Sequence, residues 1–276
     1  MGGRGTRWRH AKLAVGAAIV TVLVTGACLS QVWTPAPPAR MNILARLKPP
    51  SAGGWLGTDH FGRDVASLLM AGAWNSLSIA VLAVALGASA GVLTGLAAAR
   101  RRGLADAVLM RACDVIFAFP PVLSAMVLGV LMGTGAVSAI MAIAVFMVPV
   151  FARLTRGIAM QVQSRDYVLA ARSIGRGEGG IMVAHVMPNI AGQIVVQVMI
   201  QLGLAMLTEA GLSFLGLGLP PPAPTWGRML AEAQTYLEQA PWLALAPGLA
   251  IAFAVLGFSL VGDGLRDLLD PRDATL

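Results

Sequence analysis

The sequence has few charged residues and few cysteines. Only 12% of its 276 residues are charged, whereas soluble domains carry roughly 25%. A water-exposed surface needs charge, so this chain has too little to cover a soluble fold, and its 57% apolar content points to lipid as the solvent. The two cysteines, Cys28 and Cys113, are expected at different membrane depths, so no disulfide is predicted.

The sequence also lacks the common motifs for nucleotide binding, hydrolysis and metal binding. It contains no GxxxxGK[ST] phosphate loop, HExxH helix or CxxC pair. We therefore expect no catalytic residue, no cofactor and no metal site. Because the chain cannot bind ATP through a phosphate loop, any ATP-driven work must be powered by another chain.

Six apolar runs are present instead, and most are near the ~20 residues that cross a bilayer as a helix. They cover residues 11–32, 76–99, 115–132, 136–151, 190–215 and 242–261. The third run contains Pro120 and Pro121, and the fourth is short, so their bounds are the least certain. The pattern predicts an all-α integral membrane protein with about six transmembrane helices.

The net charge of +7 lies in clusters between these runs, which favours a membrane surface over nucleic acid as the partner. Fifteen basic residues fall in the tails and loops on one side, and five fall on the other. The positive-inside rule therefore predicts that both termini are cytoplasmic. We keep the first run as a span, because removing it as a signal peptide would leave an odd number of spans and a worse charge pattern.

The loop of about residues 152–189 is too long and too polar to be a simple connection. A helix is predicted over residues 167–174, with Asp166 as its cap and Gly175 ending it in a left-handed conformation. A second helix over about 178–187 is expected to stop near Pro188. Ala170 and Ala171 would permit the close approach of another protein, although a purely stabilising surface helix is the alternative.

Two further sites are expected toward the other side of the membrane. Arg63 lies four residues after Asp59, within ion-pair reach, and Asp64 ends the same segment. An amphipathic helix over about 62–73 would lie at the outer surface and touch a gate or a partner, or act only as a structural cap. Glu209 lies inside the fifth run, where a carboxylate costs of order 2.5–3.5 kcal/mol, so it is expected in a substrate path or at the wet outer end.

The polar loop resembles the coupling motif of ABC-importer permeases. That motif consists of Glu-Ala-Ala, three residues and Gly, followed later by Leu-Pro. Residues 166–175 (Asp-Tyr-Val-Leu-Ala-Ala-Arg-Ser-Ile-Gly) match it at Ala170, Ala171 and Gly175, and Pro188 matches the later proline. Leu169 stands at the usual glutamate position, which removes one polar contact to the ATPase. The resemblance implies that this helix, including Tyr167, contacts the ATPase.

Three further stretches are similar to the dipeptide, oligopeptide and nickel branch of that family. They are residues 56–64 (Leu-Gly-Thr-Asp-His-Phe-Gly-Arg-Asp), 213–218 (Ser-Phe-Leu-Gly-Leu-Gly) with 225–227 (Thr-Trp-Gly), and 262–271 (Gly-Asp-Gly-Leu-Arg-Asp-Leu-Leu-Asp-Pro). The resemblance implies a transport domain over residues 55–272 in a bacterial inner membrane, preceded by a tail and first helix over 1–54. The partners implied are a second, homologous permease, two cytoplasmic ATPase subunits and an extracytoplasmic binding protein.

The substrate and the transport class leave alternatives. Peptides are the commoner cargo in this branch, while Leu169 and residues 233–236 (Ala-Gln-Thr-Tyr) resemble the nickel-type members. An ATP-independent secondary transporter would need ionisable groups in its spans, and only Glu209 is convincing. A membrane enzyme would need at least two convergent reactive groups, and none stands out. The sequence therefore favours a permease subunit without chemistry of its own.

Overall fold

The computed structural model describes residues 3–269, and the side chains of residues 10–269. Between residues 3 and 269 the chain forms ten α-helices and no β-strand, which confirms the all-α prediction. They are α1 (Gly3–Leu29), α2 (Val65–Arg101), α3 (Leu104–Ala118), α4 (Pro121–Met132), α5 (Ala136–Gln163), α6 (Asp166–Ser173), α7 (Glu178–Ile181), α8 (Met187–Phe214), α9 (Trp226–Ala233) and α10 (Trp242–Leu269). The end of the closing sequence motif, Asp270–Pro271, and the basic residue Arg272 lie outside the described residues.

Five of these helices are long and apolar enough to cross a membrane: α1, α2, α5, α8 with the turns that precede it, and α10. The bent pair α3 and α4 supplies a sixth span if it is counted as one. The prediction of about six spans is therefore confirmed in number, while several bounds differ.

The largest difference concerns the start of the second span. The separate surface helix predicted over 62–73 is wrong, because α2 begins at Val65 and continues without a break to Arg101. Asp64 sets this start, since its carboxylate accepts a hydrogen bond from the N–H of Ser67 and caps the helix. No proline interrupts the segment that follows, so the helix runs on into the membrane.

The third span is broken rather than continuous. Helices α3 and α4 meet at 87° across Phe119 and Pro120. Pro120 and Pro121 both lack an N–H, so the helical hydrogen-bond ladder cannot pass through them. The continuous run predicted over 115–132 is therefore wrong in shape, although its apolar residues are helical on both sides of the bend.

Small residues set the packing between the spans. Gly87, Gly91 and Gly95 of α2 face α5 so closely that an added Cβ would lie 2.5–2.7 Å from backbone carbonyl oxygens of α5. On the other side of the bundle, Gly257 and Gly264 of α10 meet side chains of α1 in the same way. Without a hydrophobic drive inside lipid, such close van der Waals contact is what holds helices together. Helix α2 thus packs closely against α5, and α10 packs closely against α1.

The short helix α9 packs against the start of α2 and the end of α8. Its first residue, Trp226, donates its main-chain N–H to Ser76 at 3.2 Å and its indole N–H to the Leu69 carbonyl at 2.9 Å. A Cβ at Gly227 would overlap the carbonyl oxygen of Ala210 in α8. The Thr225–Gly227 motif is therefore explained by the close seating of α9 on the membrane helices.

This contact gives a first prediction. Gly227→Ala is expected to push α9 off α8 and to lower the free energy of unfolding by about 1–3 kcal/mol, the usual cost of overpacking. Gly211→Ala is the matched control, because a Cβ there meets nothing within 4 Å. Thermal unfolding of the two purified variants in detergent measures the difference, and equal melting temperatures would contradict the packing argument.

Candidate functional site

The loop between α5 and α8 folds as a short helix that ends at a glycine. Helix α6 begins at Asp166, which lies in the first turn instead of capping it; the cap residue is Arg165, and its side chain makes no cap hydrogen bond. Gly175 has φ of +84°, as predicted. Its N–H donates to the Arg172 carbonyl at 3.0 Å, and the next N–H donates to the Ala171 carbonyl at 3.1 Å. These two bonds form the Schellman ending that favours glycine.

One face of α6 anchors the helix to the rest of the chain. Val168 is fully buried and Ala171 nearly so. Val168 belongs to a buried cluster at one end of three spans, and this cluster also contains Ala99 of α2, Ala159 of α5, and Ile181, Met182, Val186 and Ile190 before and within α8. Through Val168, α6 is therefore anchored where α2, α5 and the start of α8 meet.

The opposite face of α6 is exposed and largely apolar. Tyr167 is 46% exposed, Leu169 is 45% exposed, and Ile174, just after the helix, is 85% exposed. Ala170 lies on this outer face, whereas Ala171 points inward. An apolar patch at the end of a polar loop is typical of a protein-interaction site. Of the two alanines expected to allow close approach, the structure presents only Ala170 to a partner.

Polar contacts fix the rest of this loop. The guanidinium of Arg172 donates to both carboxylate oxygens of Glu178, at 2.7 and 3.2 Å. Arg176 lies 3.2 Å from the Nε2 atom of His185, and the His185 ring packs edge-on against Tyr167 at 6.2 Å between centroids. The loop is thus held as one folded piece.

The loop is shorter than the sequence predicts. Residues 152–163 belong to α5, and the helix predicted over 178–187 does not stop near Pro188. Instead, a π-helical turn over Met182–Val186 leads without a break into α8, where Pro188 lies in the first turn. The wider π-helical turn accommodates the proline ring. Proline has no N–H to donate, and the first turn of a helix tolerates that loss.

A second polar cluster lies just before the start of α2, at the opposite end of that helix from α6. The predicted ion pair is confirmed, because Arg63 Nε lies 2.5 Å from Asp59 Oδ2 and both side chains are more than nine-tenths buried. Arg63 also reaches Glu232 of α9 at 3.1 Å, and Glu232 accepts from Arg228 at 2.9 Å. Asp64 does not join this cluster, since it caps α2.

Sequence reasoning missed Glu232 and Arg228. Their spacing of four residues on one helix is the only signal that could have indicated a pair. Metal-ligating atoms of Asp59, His60 and Glu232 lie within 4.8 Å of one another. Arg63 already occupies a carboxylate oxygen of both acids, so a cation would have to displace its guanidinium. The arrangement therefore functions as an ion-pair network that joins the segment before α2 to α9.

The network gives a second prediction. Arg63→Ala is expected to lower the free energy of unfolding by about 1–3 kcal/mol, because it leaves the buried Oδ2 of Asp59 without its donor. The loss is limited since Asp59 Oδ1 keeps two main-chain N–H donors, those of Phe61 and Arg63. The exposed Arg111, which pairs only loosely at 3.9 Å, is the control for Arg→Ala. Equal unfolding midpoints for the two variants would show that the network adds no stability.

Glu209 is completely buried within the chain rather than open to a path. Its Oε1 accepts a hydrogen bond from Ser213 at 2.6 Å, and among the described residues its Oε2 has no hydrogen-bond partner. Its neighbour Ala210 packs directly beneath Gly227 of α9. Glu209 therefore lies near the end of α8 against which α9 packs.

Comparison with known proteins fits this architecture. The family model described as "Binding-protein-dependent transport system inner membrane component" matches residues 91–273. A glutathione transport system permease protein of Pectobacterium atrosepticum is 43% identical over 223 residues, which cover 81% of this chain and 74% of that protein. A dipeptide transport system permease protein of Alkalihalophilus pseudofirmus is 38% identical over 273 residues, 96% of this chain and 90% of that protein.

A third relative, a glutathione transport system permease protein of Escherichia coli, is 40% identical over 269 residues, 96% of this chain and 88% of that protein. The similarity thus extends over nearly the whole chain, including the α6 loop and the outer cluster. It confirms the predicted resemblance and the prediction of a transport component rather than an enzyme. The chain belongs to the family of binding-protein-dependent transport system inner membrane components.

Proposed function

We propose that the chain is one permease subunit of an ATP-driven importer that moves peptides across the bacterial cytoplasmic membrane. The family and the peptide, dipeptide and glutathione permeases among its relatives support this proposal. Between them, these relatives align with most of the chain, so the proposal concerns the whole membrane domain and not one motif.

The single observation that carries the mechanism is the two-faced helix α6. Its exposed face presents Tyr167, Leu169 and Ala170 to a partner, while Val168 is packed among the ends of the spans. A cytoplasmic ATPase subunit docks on this exposed face of α6. When ATP closes the ATPase pair, α6 moves and carries α2, α5 and α8 with it. This rocking exposes a central path to each side of the membrane in turn, which is the general transporter solution.

The remaining partners follow from the same proposal. A second, homologous permease completes the path, two ATPase subunits supply the energy, and an extracytoplasmic binding protein delivers the substrate. Both termini are cytoplasmic, in agreement with the excess of basic residues on that side. The cluster of Asp59 and Arg63, together with the cap residue Asp64, stabilises the outer surface that the binding protein or an outer gate would use.

Glu209 has a conditional place in this scheme. Because it is completely buried within the chain, it would enter the path only when the helices around it separate. In the observed structure, its carboxylate accepts the hydrogen bond from Ser213. We therefore propose that Glu209 contributes to the substrate path only in the outward-open state.

The experiment is uptake by the reconstituted complex. The two permeases and the ATPases are placed in proteoliposomes with the purified binding protein, and labelled dipeptide, glutathione and nickel are offered in turn. We expect dipeptide or glutathione uptake that needs both ATP and the binding protein. Nickel uptake alone would establish the metal alternative, and uptake without ATPase subunits would contradict the proposal and favour a secondary transporter.

A further inference from the structure

A charged pair is half-exposed beside the bend between α3 and α4. The guanidinium of Arg153 on α5 donates to Asp114 on α3 at 2.6 Å, and it lies over the ring of Phe117 at 4.5 Å. The side chains of Arg153 and Asp114 are 46% and 49% exposed on this chain. Among residues 10–269, Asp114 is the only hydrogen-bond partner of the guanidinium, so most of its N–H donors point at something outside the chain.

The guanidinium of Arg153 is directed away from the end of the bundle that carries α6. Asp106 at the start of α3 pairs with Arg156 near the end of α5. Phe117 at the end of α3 packs against Phe146 in the first half of α5, so the two helices run antiparallel. Because the guanidinium of Arg153 reaches the Phe117 ring, its charge lies on the Phe146 side. An arginine surrounded by lipid extends toward the nearer membrane surface instead.

This position is deeper than the headgroup layer. Asp114 lies about 15 Å along α3 from Leu104, at 1.5 Å per residue. Leu104 follows the exposed basic residues 100–102, which mark the membrane surface. The headgroup layer on each side of a bilayer is about 5–8 Å thick, so Asp114 lies at the depth of the hydrocarbon. Charged side chains at that depth face a water-filled cavity or other protein, and not lipid.

The backbone beside the pair also needs polar surroundings. Pro121 supplies no N–H, so the carbonyl of Phe117 loses the donor that a continuing helix would give it. Residues 118–120, which form the bend, are exposed on this chain. At membrane depth such irregular backbone is tolerated only against protein or beside a water-filled cavity. Water in one cavity satisfies both the backbone of the bend and the outward donors of Arg153.

We infer that Arg153 lines the substrate path and binds the carboxylate of a peptide in transit. A guanidinium presents its N–H donors in a planar fork, which binds a carboxylate through two parallel hydrogen bonds. Asp114 and the ring of Phe117 hold this guanidinium in place from two sides. The inference rests on the proposed function, and it adds which chemical group of the substrate the path recognises and through which residue.

The first measurement tests whether water reaches this place. The complex of both permeases and the ATPases is held in lipid nanodiscs, and Phe119→Cys is labelled with a membrane-impermeant maleimide in a variant with Cys28 and Cys113 removed. Leu93→Cys is the matched control, because Leu93 is 67% exposed on α2 and is flanked by glycines that pack against α5 next to Arg153. We expect rapid labelling at position 119 and none at position 93.

The second measurement tests whether a carboxylate is bound there. A dipeptide should protect Phe119→Cys from the maleimide, whereas the same dipeptide with a C-terminal amide should not. Arg153→Gln should raise the dipeptide concentration for half protection by about tenfold, the equivalent of one charge-assisted hydrogen bond. Arg153→Lys keeps the charge without the fork and should fall between. Copurification of the ATPases establishes that each variant assembles.

Slow labelling at position 119, or equal rates at positions 119 and 93, would overturn the inference, because the bend would then be no wetter than the opposite side of α2. Equal protection by the dipeptide and its amide would also overturn it, since the carboxylate would then not be the group that is bound. Dipeptide uptake by the unchanged complex is measured in parallel. Uptake without protection contradicts this inference alone, whereas the absence of ATP-driven uptake contradicts the proposed function.

Discussion

Gly175→Val is expected to abolish ATP-driven uptake while leaving the chain inserted in the membrane. Gly175 has φ of +84° and ends α6 with the paired hydrogen bonds to Arg172 and Ala171. A left-handed conformation costs an ordinary residue about 1–2 kcal/mol, and a β-branched residue is a genuine outlier there. The valine therefore unwinds the end of α6 and shifts the face that receives the ATPase. Uptake and ATP hydrolysis by the reconstituted complex measure the effect.

Gly177→Val is the matched control for this variant. Both glycines are exposed, and an added Cβ at either meets nothing within 4 Å. Only the backbone differs, because Gly177 has φ of −64° and ψ of 148°, an extended conformation open to any residue. The control is expected to retain most of its uptake. Equal uptake by the two variants would contradict the assigned role of Gly175.

Ala170→Trp is expected to prevent the ATPase subunits from copurifying with the chain. Ala170 lies on the outer face of α6, where the small side chain allows the partner backbone to come close. A tryptophan there holds the two surfaces apart without entering the core, so the thermal stability of the isolated chain should be unchanged. Pull-down of the ATPases with the tagged permease, compared with the melting temperature, separates loss of docking from loss of folding.

The control for bulk is Ala52→Trp, at an exposed alanine in the segment that precedes α2. On the proposed topology this residue lies outside the membrane and cannot meet a cytosolic subunit. It should therefore leave ATPase recovery at the level of the unchanged chain. Full recovery of ATPases with Ala170→Trp would mean that they dock elsewhere.

Local determinants were predictable from the sequence. Gly175 was expected to adopt a left-handed conformation, because a glycine after a helical stretch commonly ends the helix through main-chain hydrogen bonds to its last carbonyls. The Asp59–Arg63 pair was likewise expected from a spacing of four residues. In both cases, the interacting groups lie within a few residues of one another, so no knowledge of the tertiary fold is needed.

Features that depend on distant contacts were not predictable. Nothing in the α6 sequence says that Val168 and Ala171 point inward while Leu169 points outward, because both faces carry apolar residues. That choice is made by the cluster beneath, which comes from three other helices. Glu232 reaches Arg63 from a helix far along the chain, and the π-helical turn before α8 likewise went unforeseen.

The broken third span falls between these cases. The proline pair identified the uncertain boundary, but its bend of 87° depends on how α4 rests against α5. The sequence therefore located the irregularity without giving its shape.

The central claim is that α6 faces the cytosol and receives force from the ATPases. Its most direct test is maleimide labelling of Leu169→Cys, a position 45% exposed in the chain alone, in a variant with Cys28 and Cys113 removed. An impermeant maleimide should label inside-out vesicles only, and assembled ATPase subunits should block the reaction. Labelling of right-side-out vesicles, or labelling that the ATPases do not reduce, would contradict the account.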